Sequence, residues 1–235
     1  MAITFDAATT TAGADFGVTT VTSGTCTVSS NADRAAVIGM GSFTNFFGDT
    51  ITVSFSGASA SAIASAEVFD ATGQAHGVKL FGCVNPGAGA SKTATASWST
   101  SSDYVTISAV TVYGANQTGG STTFTGGVAD NAASPNSVAV SSATGDLTVS
   151  AAFDDQGGTA PTSNQTRVSS TSGYWQDYAA GAASVTHTWT SAFAEIAVAG
   201  VNIVAAGGGG GRTTKNTRAF PLGMEIGMNW VGSNI

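Results

Sequence analysis

Charge is the scarcest ingredient of this 235-residue chain: Asp, Glu, Lys and Arg together make up 9% of it, against roughly 25% in an ordinary soluble domain. Long helices are excluded first, because the residues that build solvated helical faces (Glu, Lys, Arg and Gln) are nearly absent. Basic residues number only seven and the formal net charge is −7. A general nucleic-acid binder needs a basic face to displace counterions, and this chain has none. Two cysteines, Cys26 and Cys83, cannot form a disulfide scaffold for a chain of this size. They read as two buried thiols, with a single bridge between them as the alternative. No apolar run approaches the ~18 residues of a membrane-spanning helix. The longest, 193–206, is interrupted by Glu195 and Asn202. The N-terminus has an acid, Asp6, where a signal peptide would carry apolar residues, and it lacks a basic start, so synthesis in the cytoplasm without a signal peptide is expected.

What the chain has in abundance is Gly, Ser, Thr and Ala, with 42% hydrophobic residues and a mean hydropathy of +0.18. That is too apolar for a solvated coil. Short β-branched and aromatic runs recur between Gly, Ser, Asn and Asp, and they read as strands. The clearest are 3–6, 18–28, 34–43, 49–56, 61–69, 78–84, 92–98, 104–113, 137–141, 146–153, 165–170, 184–190 and 193–205. Ile51, Val53 and Phe55 alternate with Thr and Ser, as a half-buried strand should. In 104–112 the parity changes: Val105, Ile107 and Ala109 point together, then Val110 and Val112 switch, which predicts a bulge. Two long loops are expected, at 117–136 and 154–164. The whole predicts an all-β fold, an antiparallel two-sheet jelly-roll sandwich over residues 1–206. Its polar face is built of Ser and Thr, which do little to discourage association, so much of that surface is expected to be covered in an assembly.

The body ends near Ala206 and is followed by a five-glycine hinge, Gly207–Gly211, and a tail to Ile235. Charge divides at the hinge: residues 1–211 carry a net −9 and residues 212–235 a net +2, from Arg212, Lys215 and Arg218 against Glu225. In the tail Phe220, Leu222, Met224, Ile226, Met228 and Trp230 repeat at period two, as in a strand added to another sheet. An extended arm that docks on its own body or on a neighbour is expected, with Arg212, Lys215, Arg218, Phe220, Leu222, Met224, Ile226 and Trp230 as its contact residues.

Chemistry-bearing patterns are sparse. The glycine run does not fit a phosphate loop: Ala206 and Arg212 stand where Gly and Lys would be needed. His76 and His187, the only histidines, are far apart, and no G-x-S-x-G elbow accompanies them. Alternation in Val185–Trp189 puts His187 on the outer sheet face. Asp154 and Asp155 are adjacent, which suits a turn better than the acid/base pair of a glycosidase. With Asp177 they lack the spacing of a calcium loop, and no Cys/His set has zinc spacing, so no metal or cofactor is expected. Asn116 and Asn164 head glycosylation sequons that mean little without secretion. Tyr174, Trp175 and Asp177 form the one local cluster suited to stacking on a sugar.

Several phrases fall in a familiar order: Phe5-Asp-Ala-Ala, Cys26 to Met40, Val78 to Gly89, Thr93–Trp98, and Tyr104 to Gln117. Ser137-Val, Gly145–Val149, Tyr174, Val185–Trp189 and Ile196–Ile203 continue it. This order resembles a β-sandwich domain common in tailed-bacteriophage proteins, and the likeness covers most of 1–206. None of the phrases is catalytic. The resemblance implies a jelly-roll module of a virion, on the capsid surface or in tail and fibre parts. The expected function is capsid decoration: a homotrimer on the shell that binds across subunits of the major capsid protein, with no nucleic acid, membrane or enzymatic role. The alternative is a carbohydrate-binding module of a tail or fibre, acting through Tyr174, Trp175 and Asp177.

Overall fold

A computed structural model describes residues 1–43, 50–69, 75–133, 135–154, 162–171, 173–190 and 195–207. Among the described residues the regular structure is almost entirely β, as expected, and the two halves form separate sheets. The first half comprises β1 (Thr4–Ala8), β2 (Ala12–Thr22), β3 (Cys26–Val28), β4 (Ala35–Phe43), β5 (Thr52–Phe55), β6 (Ala58–Phe69), β7 (Ala75–Val84), β8 (Gly89–Lys92) and β9 (Ala94–Tyr113). Its main sheet runs β1-β9-β4-β7-β6-β5, with β2 also on β9. Strand β9 has 20 residues and pairs twice along one side. Ala94–Ser97 meet β5, and Tyr104–Val112 meet β4. The antiparallel sheet therefore curls until it closes on itself. Inside the curl lie Ile38, Met40, Phe55, Phe81, Trp98 and Ile107.

A short helix α1 (Gly120–Thr123) leads into the second half: β10 (Phe124–Ala133), β11 (Asn136–Ser141), β12 (Leu147–Phe153), β13 (Thr162–Ser163), β14 (Thr166–Thr171), β15 (Tyr174–Ala180), β16 (Ser184–Thr190) and β17 (Glu195–Ile203). One sheet has the order β10-β17-β12-β15-β14, and a smaller one has β11-β16-β13. Successive strands cross from one to the other, except that β14 and β15 stay together. The larger sheet is the middle layer of the molecule. Val149, Phe153, Tyr174, Val201 and Ile203 face the first half and meet Val37, Leu80 and Val110. From its other face Trp175, Ile196 and Val198 meet Val138 and Trp189 of the smaller sheet.

Burial on both faces corrects several expectations. The ladder between β4 and β9 is unbroken from Ala35↔Val112 to Phe43↔Tyr104, so β9 has no bulge there. Val105, Ile107 and Ala109 fill the curl while Val110 and Val112 face the second half, and the change of parity marks two cores. The irregularity lies in the partner, between Phe5 and Ala7 of β1. The loop expected at 117–136 contains α1 and all of β10, whose Gly126–Gly127 bulge disguises the strand pattern. Residues 174–180 are a strand as well as an aromatic cluster. The expected strand 18–28 is divided between β2 and β3, while 92–98 and 104–113 belong largely to one strand, β9. Of the loop expected at 154–164, Asp154 and residues 162–164 are described, and Thr162–Ser163 form the short strand β13; 155–161 lie outside the described residues.

Candidate functional site

The residues that carry chemistry converge on the middle layer, in the interior. Strands β12, β15 and β16 bring together Thr148, Ser150, Asp177, His187 and Trp189, all fully buried. His187 Nδ1–H donates to Asp177 Oδ1 at 2.9 Å, and its Nε2 lies 2.9 Å from Thr148 Oγ1. Ser150 Oγ donates to the same carboxylate oxygen at 2.5 Å, and Trp189 Nε1–H donates to Ser150 Oγ at 3.1 Å. The Arg167 guanidinium stands 5.1 Å from the Trp189 ring. Burial pushes Arg167 down from its ordinary value, and the charge of Asp177 works the other way.

His187 is thus not on the outer face. Strand β16 alternates, but Val185, His187 and Trp189 are its inward residues, and Ser184, Thr186 and Thr190 are exposed. The ring is held inside because the apposed strands offer it a carboxylate and a hydroxyl, which satisfy its polar atoms away from water. An Asp–His–hydroxyl row resembles a nucleophilic relay in outline. Here it is sealed on every side, and its geometry is that of a core network.

The proposed sugar platform is interior too. Tyr174, Trp175 and Asp177 are 0%, 1% and 0% exposed. Adjacent residues of β15 point to opposite faces, so Tyr174 enters the core between the halves while Trp175 enters the core under the smaller sheet. Stacking on a sugar requires an open ring face, and neither ring has one. Ser108 Oγ donates to Gln176 Oε1 at 2.7 Å and lies 3.2 Å from the Tyr174 hydroxyl. Burial raises the Tyr174 phenol well above its ordinary value. Glycines make the fit possible: a Cβ at Gly39 would strike the Tyr174 hydroxyl, and one at Gly41 would strike the rings of Phe153 and Tyr174. These pits in β4 were legible only as glycines within an apolar strand, a sign of close approach.

Cys26 and Cys83 are both free thiols; Cys83 is buried, as expected, whereas Cys26 is half-buried. Burial pushes Cys26 up to about 11, with the charge of Asp6 adding to the shift, and pushes Cys83 up to about 12. Asp154 is buried, and Asp155 lies outside the described residues. Asn164, of the second sequon, spends its amide on β16: Nδ2 donates to Thr186 O at 2.9 Å and Oδ1 accepts from Thr188 N at 3.0 Å. Among the described residues no three His, Cys, Asp or Glu side chains are grouped to hold a metal. The arm residues Arg212, Lys215, Arg218, Phe220, Leu222, Met224, Ile226 and Trp230 lie outside the described residues.

On the surface, a cleft of about 350 Å³ opens at the rim between the halves. Ala62 and Ile63 of β6 and Gly82 of β7 form one wall, and Ser121, Phe124 and Gly127 form the other. Comparison of the chain with protein-family models, curated proteins and solved structures finds no match.

Proposed function

We propose that the chain is a structural protein of a tailed-phage virion, a decoration protein that binds across subunits of the major capsid protein. The observation that carries the reading is the strand order of residues 124–203. Eight strands lie in two facing sheets, β10-β17-β12-β15-β14 on one side and β11-β16-β13 on the other, and all but β15 change sheet from their predecessor. That order supports a jelly roll in the second half of the chain, with β14 turned onto β15. Jelly rolls serve as viral shell modules and as lectins, and fold alone does not choose between them. The burial of Tyr174, Trp175 and Asp177 favours assembly, because the lectin reading loses the residues on which it rests. The outward residues of β11 and β16 add support: Ser137, Ala139, Ser141, Ser184, Thr186 and Thr190 are exposed and uncharged. Such a face is cheap to desolvate against a partner.

The decisive measurement is co-sedimentation of the purified protein with empty capsids, alongside its oligomeric state by light scattering. Saturable occupancy by a trimer is expected. Removal of residues 207–235 should abolish occupancy and leave the far-UV circular dichroism of a folded β body. Full occupancy without the arm would overturn the arm's role, and no binding by the intact protein would overturn the decoration reading. Binding to a glycan array that survives in Trp175→Phe would return the lectin alternative on other residues.

A further inference from the structure

We propose that the ε-amine of Lys79 is a covalent site for small neutral aldehydes, which it takes up as imines at the rim of the curled sheet. Lys79 is one of three lysines in the chain, with Lys92 and Lys215. Its place follows from register. In β7 it stands two residues from Phe81, and it pairs with Met40 of β4, which pairs in turn with Ile107 of β9. Directly opposed residues share a face of the sheet, and Met40, Phe81 and Ile107 all line the interior of the curl. Lys79 is therefore an inward residue, and it is half-buried. The next residues along that face, Gly77 and Ser42, pair with each other. Neither strand thus brings a large side chain over the amine.

A lysine turned into an apolar curl is ordinarily matched by a carboxylate. Among the described residues no hydrogen bond or ion pair reaches Lys79. What its ammonium meets is the Phe81 ring, whose centroid is 5.9 Å from Nζ. That is the outer limit of the ~6 Å over which a ring face attracts a cation, so the charge is only weakly compensated. Burial accordingly pushes Lys79 below its ordinary value. The consequence is chemical, because the neutral amine is the nucleophile. It makes up only about 0.4% of an ordinary lysine at pH 8, and desolvation enlarges that share.

An aldehyde is the electrophile that such an amine accepts with no further reactant. The nitrogen lone pair forms a C–N bond to the carbonyl carbon, and the C=O π pair moves to oxygen. A proton passes from nitrogen to that oxygen, and loss of water leaves the C=N bond. Water is the one by-product, nothing is oxidised or reduced, and hydrolysis runs the step backward. A small neutral molecule is selected for two reasons. The interior beside the amine is apolar, and residues 1–211 carry a net −9, which repels anionic aldehydes. This inference goes beyond the virion reading and does not rest on it.

The test uses the full chain with propionaldehyde and cyanoborohydride, which reduces each imine to a stable secondary amine. Peptide mass mapping then gives the rate at each lysine. In the folded protein at pH 8, Lys79 should be alkylated roughly threefold or more faster than Lys92 and Lys215. In guanidinium chloride the three should react alike, because the lead comes from the fold. Lys79→Arg should remove the fast site and leave the rates at Lys92 and Lys215 unchanged. Alkylation of Lys79 no faster than of Lys215 in the folded protein would overturn the proposal. A lead that persists after unfolding would do the same, since it would belong to the local sequence.

Discussion

His187 shows how a single residue acquires its meaning from what faces it. Its two ring nitrogens meet Asp177 and Thr148 at 2.9 Å, with no water access. Removing the ring leaves Asp177 buried with one fewer partner, and breaking such a buried pair costs about 3 kcal/mol. His187→Ala should lower stability by about that amount in urea denaturation, and Asn, which can still donate to Asp177, should recover part of it. The thiols give a pH signature. Cys26 and Cys83 are raised from an ordinary 9.0 to about 11 and about 12 in the folded protein. A raised thiol favours the fold fully below 9, and that contribution is lost as pH rises, because unfolded thiols ionise first. Stability should therefore fall between about pH 9 and 12, and replacing both cysteines by Ala should flatten the fall. Native-state alkylation at pH 8 should be slow at both, since little thiolate is present.

At the scale of the element, β4 and β15 illustrate how two sheets are matched. Gly39 and Gly41 empty the surface of β4 where Tyr174 and Phe153 press in. A methyl group at Gly39 would land on the Tyr174 hydroxyl and force the layers apart, at a cost of about 1–3 kcal/mol. Gly39→Ala should destabilise by that amount, and Tyr174→Phe, which removes the struck oxygen, should relieve part of the loss. The two changes share one contact, so thermal denaturation of the cycle should be non-additive. Additive losses would show that the Tyr174 hydroxyl is not what the new methyl meets.

Across the whole molecule the halves are distinct in hydrogen bonding and joined in packing. Their main ladders stay within residues 4–113 and 124–203, yet the core between them includes residues of β4, β7, β9, β12, β15 and β17. Phe5 of the first half also stacks on Tyr178 of the second, with ring centroids 4.7 Å apart. Neither half can bury that face alone, so the two should unfold in one transition. Trp98 lies in the first half's core, and Trp175 and Trp189 lie in the second's. Urea midpoints of Trp175→Phe/Trp189→Phe/Trp230→Phe, which keeps Trp98 alone, followed by fluorescence and by circular dichroism should coincide. Separate midpoints would divide the chain into independent domains.

The all-β class and most strand positions among the described residues were legible in the sequence, because scarce charge, β-branched runs and glycine punctuation act locally. Strand β10 escaped because a Gly–Gly bulge breaks its alternation. Strand β15 escaped because Tyr174, Trp175, Gln176 and Asp177 are all buried, so no polar face marks its period. The inward turn of His187 and of the Tyr174–Asp177 cluster was decided by tertiary structure. Alternation sorts residues onto two faces but does not say which face meets another layer. In this protein the central sheet is covered on both sides, so residues that read as surface chemistry became core.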